Sequence, residues 1–309
     1  MADFFATQTD NTSVGDSILS VWNQQTLFEA APELVAVQLA TMKVVAGAAT
    51  IYFPRFAQMA NVTSALTDST ETSATEVTDT ALSITPVEYG AVVCRTLMSN
   101  VQSGGRVDLA VTKLVGQNMG SSIDGLALAP LEAFSTDIIY PNGKTAKAQL
   151  DAGDVLDGKF AGRLYNRLAR KNIPSIGGAY MCATHEDALY DLKEDAGSGG
   201  WTPVSQYSNL TAVLNNEVGM FKGIRWLRTA NSTIESNVNG TVDGYYVAVV
   251  GENALGYGVS VEPHITITGP FDSLGRFLNI GWYGIFDFSV IDTDNMVLGR
   301  VASSIGSNT

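Results

Sequence analysis

The sequence predicts an α+β protein in which one region combines a long helix with antiparallel strands and a second region is a mixed α/β unit. Three stretches carry that expectation. Residues 103–134 hold apolar positions at helical spacing, residues 151–174 hold Leu156, Phe160, Leu164 and Leu168 every four residues, and GRFLNIGWYGIFDFSVI (275–291) alternates as a strand does. With 309 residues and 45% hydrophobic content, the chain can form one large domain or two ordinary ones around a sizeable core.

Residues 1–45 read as an N-terminal arm with helical pieces. Val14, Ile18, Val21 and Trp22 recur at helical spacing, and after Pro32 the pattern restarts with Val35, Leu39 and Met42. A long β-hairpin follows. TIYFPRFAQ (50–58) is one limb and ALSITPVEYGAVV (81–93) the other, with Pro54 and Pro86 at positions that suit sheet edges. Between them the tip carries Asp68, Glu71, Glu76 and Asp79, no basic residue, and too few apolar residues to bury. A two-stranded ribbon is marginal alone, so this one has to lie on another surface.

Residues 96–148 contain the long helix, whose face is read as Val107, Val111, Leu114 and Val115, with Pro130 near its end. Gly116 and Gly120 weaken it by roughly 1 kcal/mol each relative to Ala, and are expected where neighbouring backbone comes close. Residues 149–262 form the α/β unit. Its first helix has Asp151, Asp154 and Asp157 early and Arg163, Arg167, Arg170 and Lys171 late, which complements the helix dipole, and it stops at Pro174. AYMCA (179–183) is a buried strand, and Thr184 with Asp187 forms a weak capping box for a helix through Leu192. A break at GSGGW (197–201), a helix over 205–216, and the strands GIRWLRT (223–229) and GYYVAVV (244–250) follow. In 263–309, HITIT (264–268), the run 275–291 and MVLGRV (296–301) are expected as antiparallel return strands.

Charge narrows the functional classes. The net charge of −13 argues against a broad phosphate-binding face and so against general or sequence-specific nucleic-acid binding. MADFFATQTDN does not have the form of a secretory signal, and no apolar run reaches the 18 residues of a membrane helix, so synthesis in a cytoplasm and no membrane contact are expected. Cys94 and Cys182 read as reduced, buried thiols. Charged residues make up only 16% of the chain against about 25% in an average soluble protein. That composition fits either a surface covered by other subunits or a weakly charged soluble monomer.

Every candidate for chemistry fails on a named residue. PNGKT (141–145) has Ile138 where a phosphate-binding loop needs Gly, and Thr202 stands where GSGG (197–200) would need one. His185, with Glu186 and Asp187 beside it, is the one conceivable site of a hydrolase, but no second His or Cys lies at ligand spacing. DTDN (292–295) begins like a calcium loop and then places Met296 at a ligand position. No enzyme, cofactor or metal is expected.

The order of elements (arm, acidic-tipped hairpin, long helix, α/β unit, return strands) resembles the major capsid proteins of tailed bacteriophages, the Hong Kong 97 type fold. DVLDGKFAGRLYNRLARKNIPS with AYMCATHEDALYDLKED, NNEVGMFKGIRWLRT, GYYVAVVGENALGYGVSVEPHITI and FLNIGWYGIFDFSVIDTDNMVLGRV carry the likeness. The resemblance implies an extended loop at 46–95 that reaches over an adjacent subunit, and a peripheral domain at 96–148 with a spine helix. It further implies an axial domain at 149–262 and strands at 263–309 returning to the peripheral domain. Its implied function is an icosahedral shell around double-stranded DNA, with pentamers and hexamers of the chain as its main contacts. A separate scaffold protein, a portal and a decoration protein are the further partners it raises, unless the chain is already trimmed. The same fold raises one alternative, an encapsulin-type compartment around cargo enzymes. No Lys lies between Lys43 and Lys113, so lysine cross-linking through the loop is unavailable. Expected inter-subunit contacts are Arg55, Asp68, Glu71, Glu76, Asp79 and Arg95, with Arg55 and Arg95 anchoring the loop base. The acidic tip reads equally as a segment that docks on a neighbour or as a disordered loop.

Overall fold

The structure, a computed structural model, describes residues 34–47, 49–56, 59–66, 68, 71, 74–102, 106–196, 202–203 and 216–305. The helical pieces expected around Val14 to Trp22, the break at GSGGW and the helix expected over 205–216, save Asn216, lie outside the described residues. In chain order the elements are β1 (Ala40–Val44), β2 (Ile51–Phe56), β3 (Asp79–Ile84), β4 (Val87–Thr96), α1 (Leu97–Gln102), α2 (Arg106–Glu132) and β5 (Ile138–Ile139). There follow α3 (Gly158–Ala169), β6 (Tyr180–Thr184), α4 (Glu186–Ala196), β7 (Thr202–Pro203), β8 (Glu217–Phe221), β9 (Ile224–Arg228), β10 (Tyr245–Val250), β11 (Leu255–Thr268), β12 (Phe277–Val290) and β13 (Met296–Val301).

Three sheets result: a four-stranded one in the order β1-β11-β12-β4, a seven-stranded one in the order β5-β13-β10-β6-β9-β8-β7, and the ribbon β2-β3. The seven-stranded sheet is covered on both faces, which its residues dictate by alternation. Val247 and Val249 of β10, Cys182 of β6 and Val297 of β13 point to one core with Phe160, Leu164 and Leu168 of α3 and Leu189 and Leu192 of α4. Ala248, Val250, Met181, Ala183, Met296 and Leu298 point to the other core, with α2. Strands buried on both sides read as near-continuous apolar runs, as YYVAVV and YMCA do.

Helix α2 is 27 residues long, about 40 Å at 1.5 Å per residue. Val111, Val115, Met119, Ile123, Ala127, Leu128 and Leu131 form its buried face, which also meets Tyr257, Val259, Ile280, Trp282 and Phe286 of the four-stranded sheet. Leu114, expected on that face, is 63% exposed, because it sits one residue off the four-residue row. At the centre of α2, the fully buried Asp124 accepts from the backbone N–H groups of Val35 (2.8 Å) and Ala36 (2.6 Å), from the Thr229 hydroxyl (3.1 Å) and from Nδ2 of Asn231 (3.0 Å). These bonds deliver the chain into β1, which pairs parallel to β11.

Two expected groupings divide. The hairpin limb 81–93 splits at Thr85 and Pro86: β3 pairs with β2, while β4 leaves the ribbon and pairs with β12 across Val87 to Thr96. Proline cannot donate to a ladder, so the strand breaks there and changes sheets. The return strands split likewise, β12 pairing with β11 and β13 with β10, because β13 has apolar residues on both faces and fits only in the doubly covered sheet. β11 begins at Leu255, so the four-stranded sheet takes its residues from before 263 as well.

Local caps follow the side chains available. Asp157 caps α3, its carboxylate accepting from the Phe160 N–H at 2.7 Å. α4 is capped by His185 rather than Thr184: Nδ1 of His185 accepts from the Asp187 N–H at 3.2 Å, while the Thr184 hydroxyl donates to the Tyr246 carbonyl at 2.8 Å. The β8-β9 hairpin turns on Lys222 and Gly223, with φ of 53° and 77°. A β-carbon on Gly223 would also lie 2.5 Å from the Tyr165 ring. Gly223→Ala is therefore expected to lower unfolding free energy by about 1–3 kcal/mol, checked by urea denaturation.

Candidate assembly surface

The ribbon is anchored at its root and open beyond it. Ile51, Phe53 and Ile84 are buried together, with Leu82 and Ile291 packed against them. The sheet beneath is cut away by two glycines. A β-carbon on Gly256 would come within 2.7 Å of Ile291, and one on Gly258 within 3.2 Å of Ile84. Small residues at these two positions of β11 let the ribbon's aliphatic side chains sit down on the sheet.

Outward from this seat the apolar residues face water. Phe56, Met59, Val62, Leu66 and Val77 are all more than half exposed, with Val62 at 88% and Leu66 at 77%. Asp68, Glu71, Glu76 and Asp79 are exposed too, and among the described residues none of the four takes part in an ion pair. A second set of exposed apolar side chains, Leu97, Met98 and Val101 of α1 with Phe271 and Leu274 of the β11-β12 turn, marks the far end of the four-stranded sheet. The two segments are joined where the Leu97 N–H donates to the Arg276 carbonyl at 2.7 Å.

The two arginines part ways. Arg55 lies at the ribbon's outer part, with one guanidinium nitrogen 2.8 Å from Asp292 and the other 3.8 Å from Asp294. Arg95 is only 8% exposed and pairs with Asp108, itself buried at the start of α2. It thus ties β4 to α2 within one copy. Burial pushes the Asp108 carboxyl above the ordinary carboxylate value, against the opposing pull of Arg95 and Asn100. Asp292, Asp294 and Asp108 were invisible as partners in the sequence, since nothing local announces a pair between residues so far apart.

The rejected motifs have structural roles. PNGKT is a turn, with Pro141–Gly143 in a short 3-10 segment and Asn142 at φ 49°. DTDN is another turn, in which Asp292 accepts from the Asp294 N–H at 2.9 Å. His185 caps a helix and faces the Tyr245 ring at 5.5 Å between centroids. The Tyr245 hydroxyl donates to Asp187 at 2.9 Å, and burial followed by that bond raises its pKa. Among the described residues no group of three His, Cys, Asp or Glu side chains is placed to hold a metal ion, and no helix is long and apolar enough to cross a membrane.

No protein-family model matches the chain, and no curated protein sequence matches it. Solved structures do match. The chain superposes on the capsid of Ralstonia phage GP4 with a TM-score of 0.71, covering 98% of this chain and 96% of that one at 12% identity. The capsid of cyanophage P-SCSP1u gives 0.63 at 15% identity, over 93% and 91% of the two chains. The head of Helicobacter pylori bacteriophage KHP40 gives 0.63 at 13% identity, over 94% of each. At such identities the agreement lies in the backbone path, and it runs nearly end to end. The fold is that of phage capsid proteins.

The Arg95–Asp108 pair makes a pH prediction. With its folded-state pKa raised, Asp108 binds more protons folded than unfolded between the ordinary carboxylate value, about 3.9, and the higher folded value. Its contribution to stability is therefore full below that window and lost as pH rises through it. Asp108→Asn should remove this component, so that the difference in unfolding free energy between the parent chain and the Asp108→Asn variant changes as pH rises from the ordinary carboxylate value through the higher folded value and is flat on either side. Urea titrations at stepped pH measure it.

Proposed function

We propose that this chain is the major capsid protein of a tailed bacteriophage, copies of which tile an icosahedral shell around double-stranded DNA. The observation that carries the reading is the near-complete, end-to-end agreement of the backbone with phage capsids. On this reading the ribbon β2-β3 with the segment between its strands is the extended loop, β4 belongs to the peripheral sheet, and α2 is the spine helix of the peripheral domain. The doubly covered sheet is the core of the axial domain, which gathers into pentamers and hexamers. The protein works by association and not by catalysis, is made in the host bacterial cytoplasm, and uses a separate scaffold, a portal and a decoration protein as partners.

Physical considerations support each part. A closed shell needs a subunit whose patches complement its neighbours. The ribbon, with Arg55, Asp68, Glu71, Glu76 and Asp79 along it, and the apolar end formed by α1 and the β11-β12 turn supply such patches. Arg95, buried against Asp108, serves on this reading to anchor the loop base. A net charge of −13 repels DNA rather than gripping it, which suits a container whose contents must be packed and later released.

The test is to express the full chain alone, to isolate particles from infected cells, and to image both by electron microscopy. Closed shells of one symmetric lattice are expected, those from infected cells containing double-stranded DNA. A compact monomer at every concentration in sedimentation overturns the proposal, and shells filled with protein cargo point to a compartment instead. Replacing Met59, Val62 and Leu66 together by Ser should leave thermal unfolding nearly unchanged, since all three are exposed. The critical concentration for assembly should rise at least about tenfold.

A further inference from the structure

Residues 291–295 carry the chain from β12 in the four-stranded sheet to β13 in the seven-stranded sheet, and three parts of the molecule converge on them. Arg55 arrives from the ribbon and meets Asp292 and Asp294. Lys171 arrives from just beyond α3, its Nζ 3.3 Å from Asp294 and 3.2 Å from Asp137. Asp137 in turn accepts from Nε of Arg167 with both carboxylate oxygens, at 3.1 and 3.0 Å, and its carbonyl accepts from the Leu298 N–H of β13 at 3.0 Å. The outcome is a row of alternating charge, Arg55, Asp292 with Asp294, Lys171, Asp137, Arg167, running from the ribbon across the inter-sheet loop to the edge of the second sheet.

We infer that this row is a latch that couples the angle of the ribbon to the junction between the two sheets. The ribbon has two attachments of different physical kind. The seat of Ile51, Phe53 and Ile84 is apolar and non-directional, so it pins the root without fixing the direction of what lies beyond. The Arg55 contact is farther out along β2, directional, and partly exposed, so it sets the angle and is sensitive to salt. An arm pinned at its root and clasped farther out has one soft motion, which is release of the clasp and a swing about the root. Because the clasp's acceptors sit on the loop joining the sheets, and Asp294 is shared with Lys171, movement at that junction changes what Arg55 is offered. The inference concerns one copy and stands apart from the shell reading.

The test uses the full chain at concentrations where it is monomeric, with Cys94→Ala and Cys182→Ala and spin labels at Thr78→Cys beyond β3 and Lys159→Cys on α3. Pulsed dipolar spectroscopy should give one dominant distance at low salt. Arg55→Met should add a second distance, lowering the seated-to-released ratio about fivefold. Lys171→Met, which does not touch the ribbon but leaves Asp294 with one cation fewer, should shift the ratio toward the seated form at a salt concentration where both distances are present. About 1 M salt should lower the ratio without any substitution. A single unchanged distance in Arg55→Met and in high salt overturns the latch, because the apolar seat then orients the ribbon alone. A shift in Arg55→Met with none in Lys171→Met overturns the coupling. Either result is obtained whether or not the chain builds a shell.

Discussion

Helix α2 presses one apolar face against two different sheets, and the placement of every other part depends on that contact. Burying a Val, Leu, Ile or Met side chain stabilises by about 1.5–3 kcal/mol, and α2 buries six of them, Val111, Val115, Met119, Ile123, Leu128 and Leu131, with Ala127 between. Sheets with separate hydrogen-bond ladders are thereby held in one core. The carboxylate of Asp124 lies inside it, where removal from water costs several kcal/mol unless donors replace the lost hydration. Four protein donors do so, two of them backbone groups of Val35 and Ala36, which makes the charge a fixed point for the segment leading into β1.

That same economy of core explains the ribbon. Both faces of the larger sheet and the inner face of the smaller one are occupied, and β2 and β3 seat three side chains, Ile51, Phe53 and Ile84, at the notch made by Gly256 and Gly258. Among the described residues nothing covers Val62 or Leu66. Pro54 leaves β2 without a backbone donor at its centre, which limits pairing along that edge. The ribbon is thus kept from indiscriminate sheet formation while its side chains stay open to a specific surface.

What could be read in the sequence was whatever depends on local periodicity. The row Leu156, Phe160, Leu164 and Leu168 placed α3, and the alternation of residues 275–291 placed β12, because burial acts on one face of each element. What could not be read was which strand a segment joins. VEYGAVV looked like a continuation of the hairpin, since the two-residue period persists through Pro86; only the competition between β2 and β12 for a partner decides it. Of the expected contact residues, the four acids and Arg55 lie along the ribbon, and Arg95 does not reach the surface. Polarity gives type but not depth, and Arg95 is buried because Asp108 begins α2 directly beside it.

The two electrostatic layers of the molecule respond to salt in opposite senses. Between copies, a net charge of −13 and an unpaired acidic tip produce repulsion that screening weakens, so added salt favours approach. Within a copy, the clasp of Arg55 on Asp292 and Asp294 is an attraction that screening also weakens, so added salt favours release of the ribbon. The apolar seat at Ile51 and Ile84 is largely indifferent to either change and keeps the ribbon attached throughout. Screening therefore lowers the repulsion between acidic copies and loosens the Arg55 clasp together, while the exposed apolar side chains of the ribbon keep their place beyond the seat.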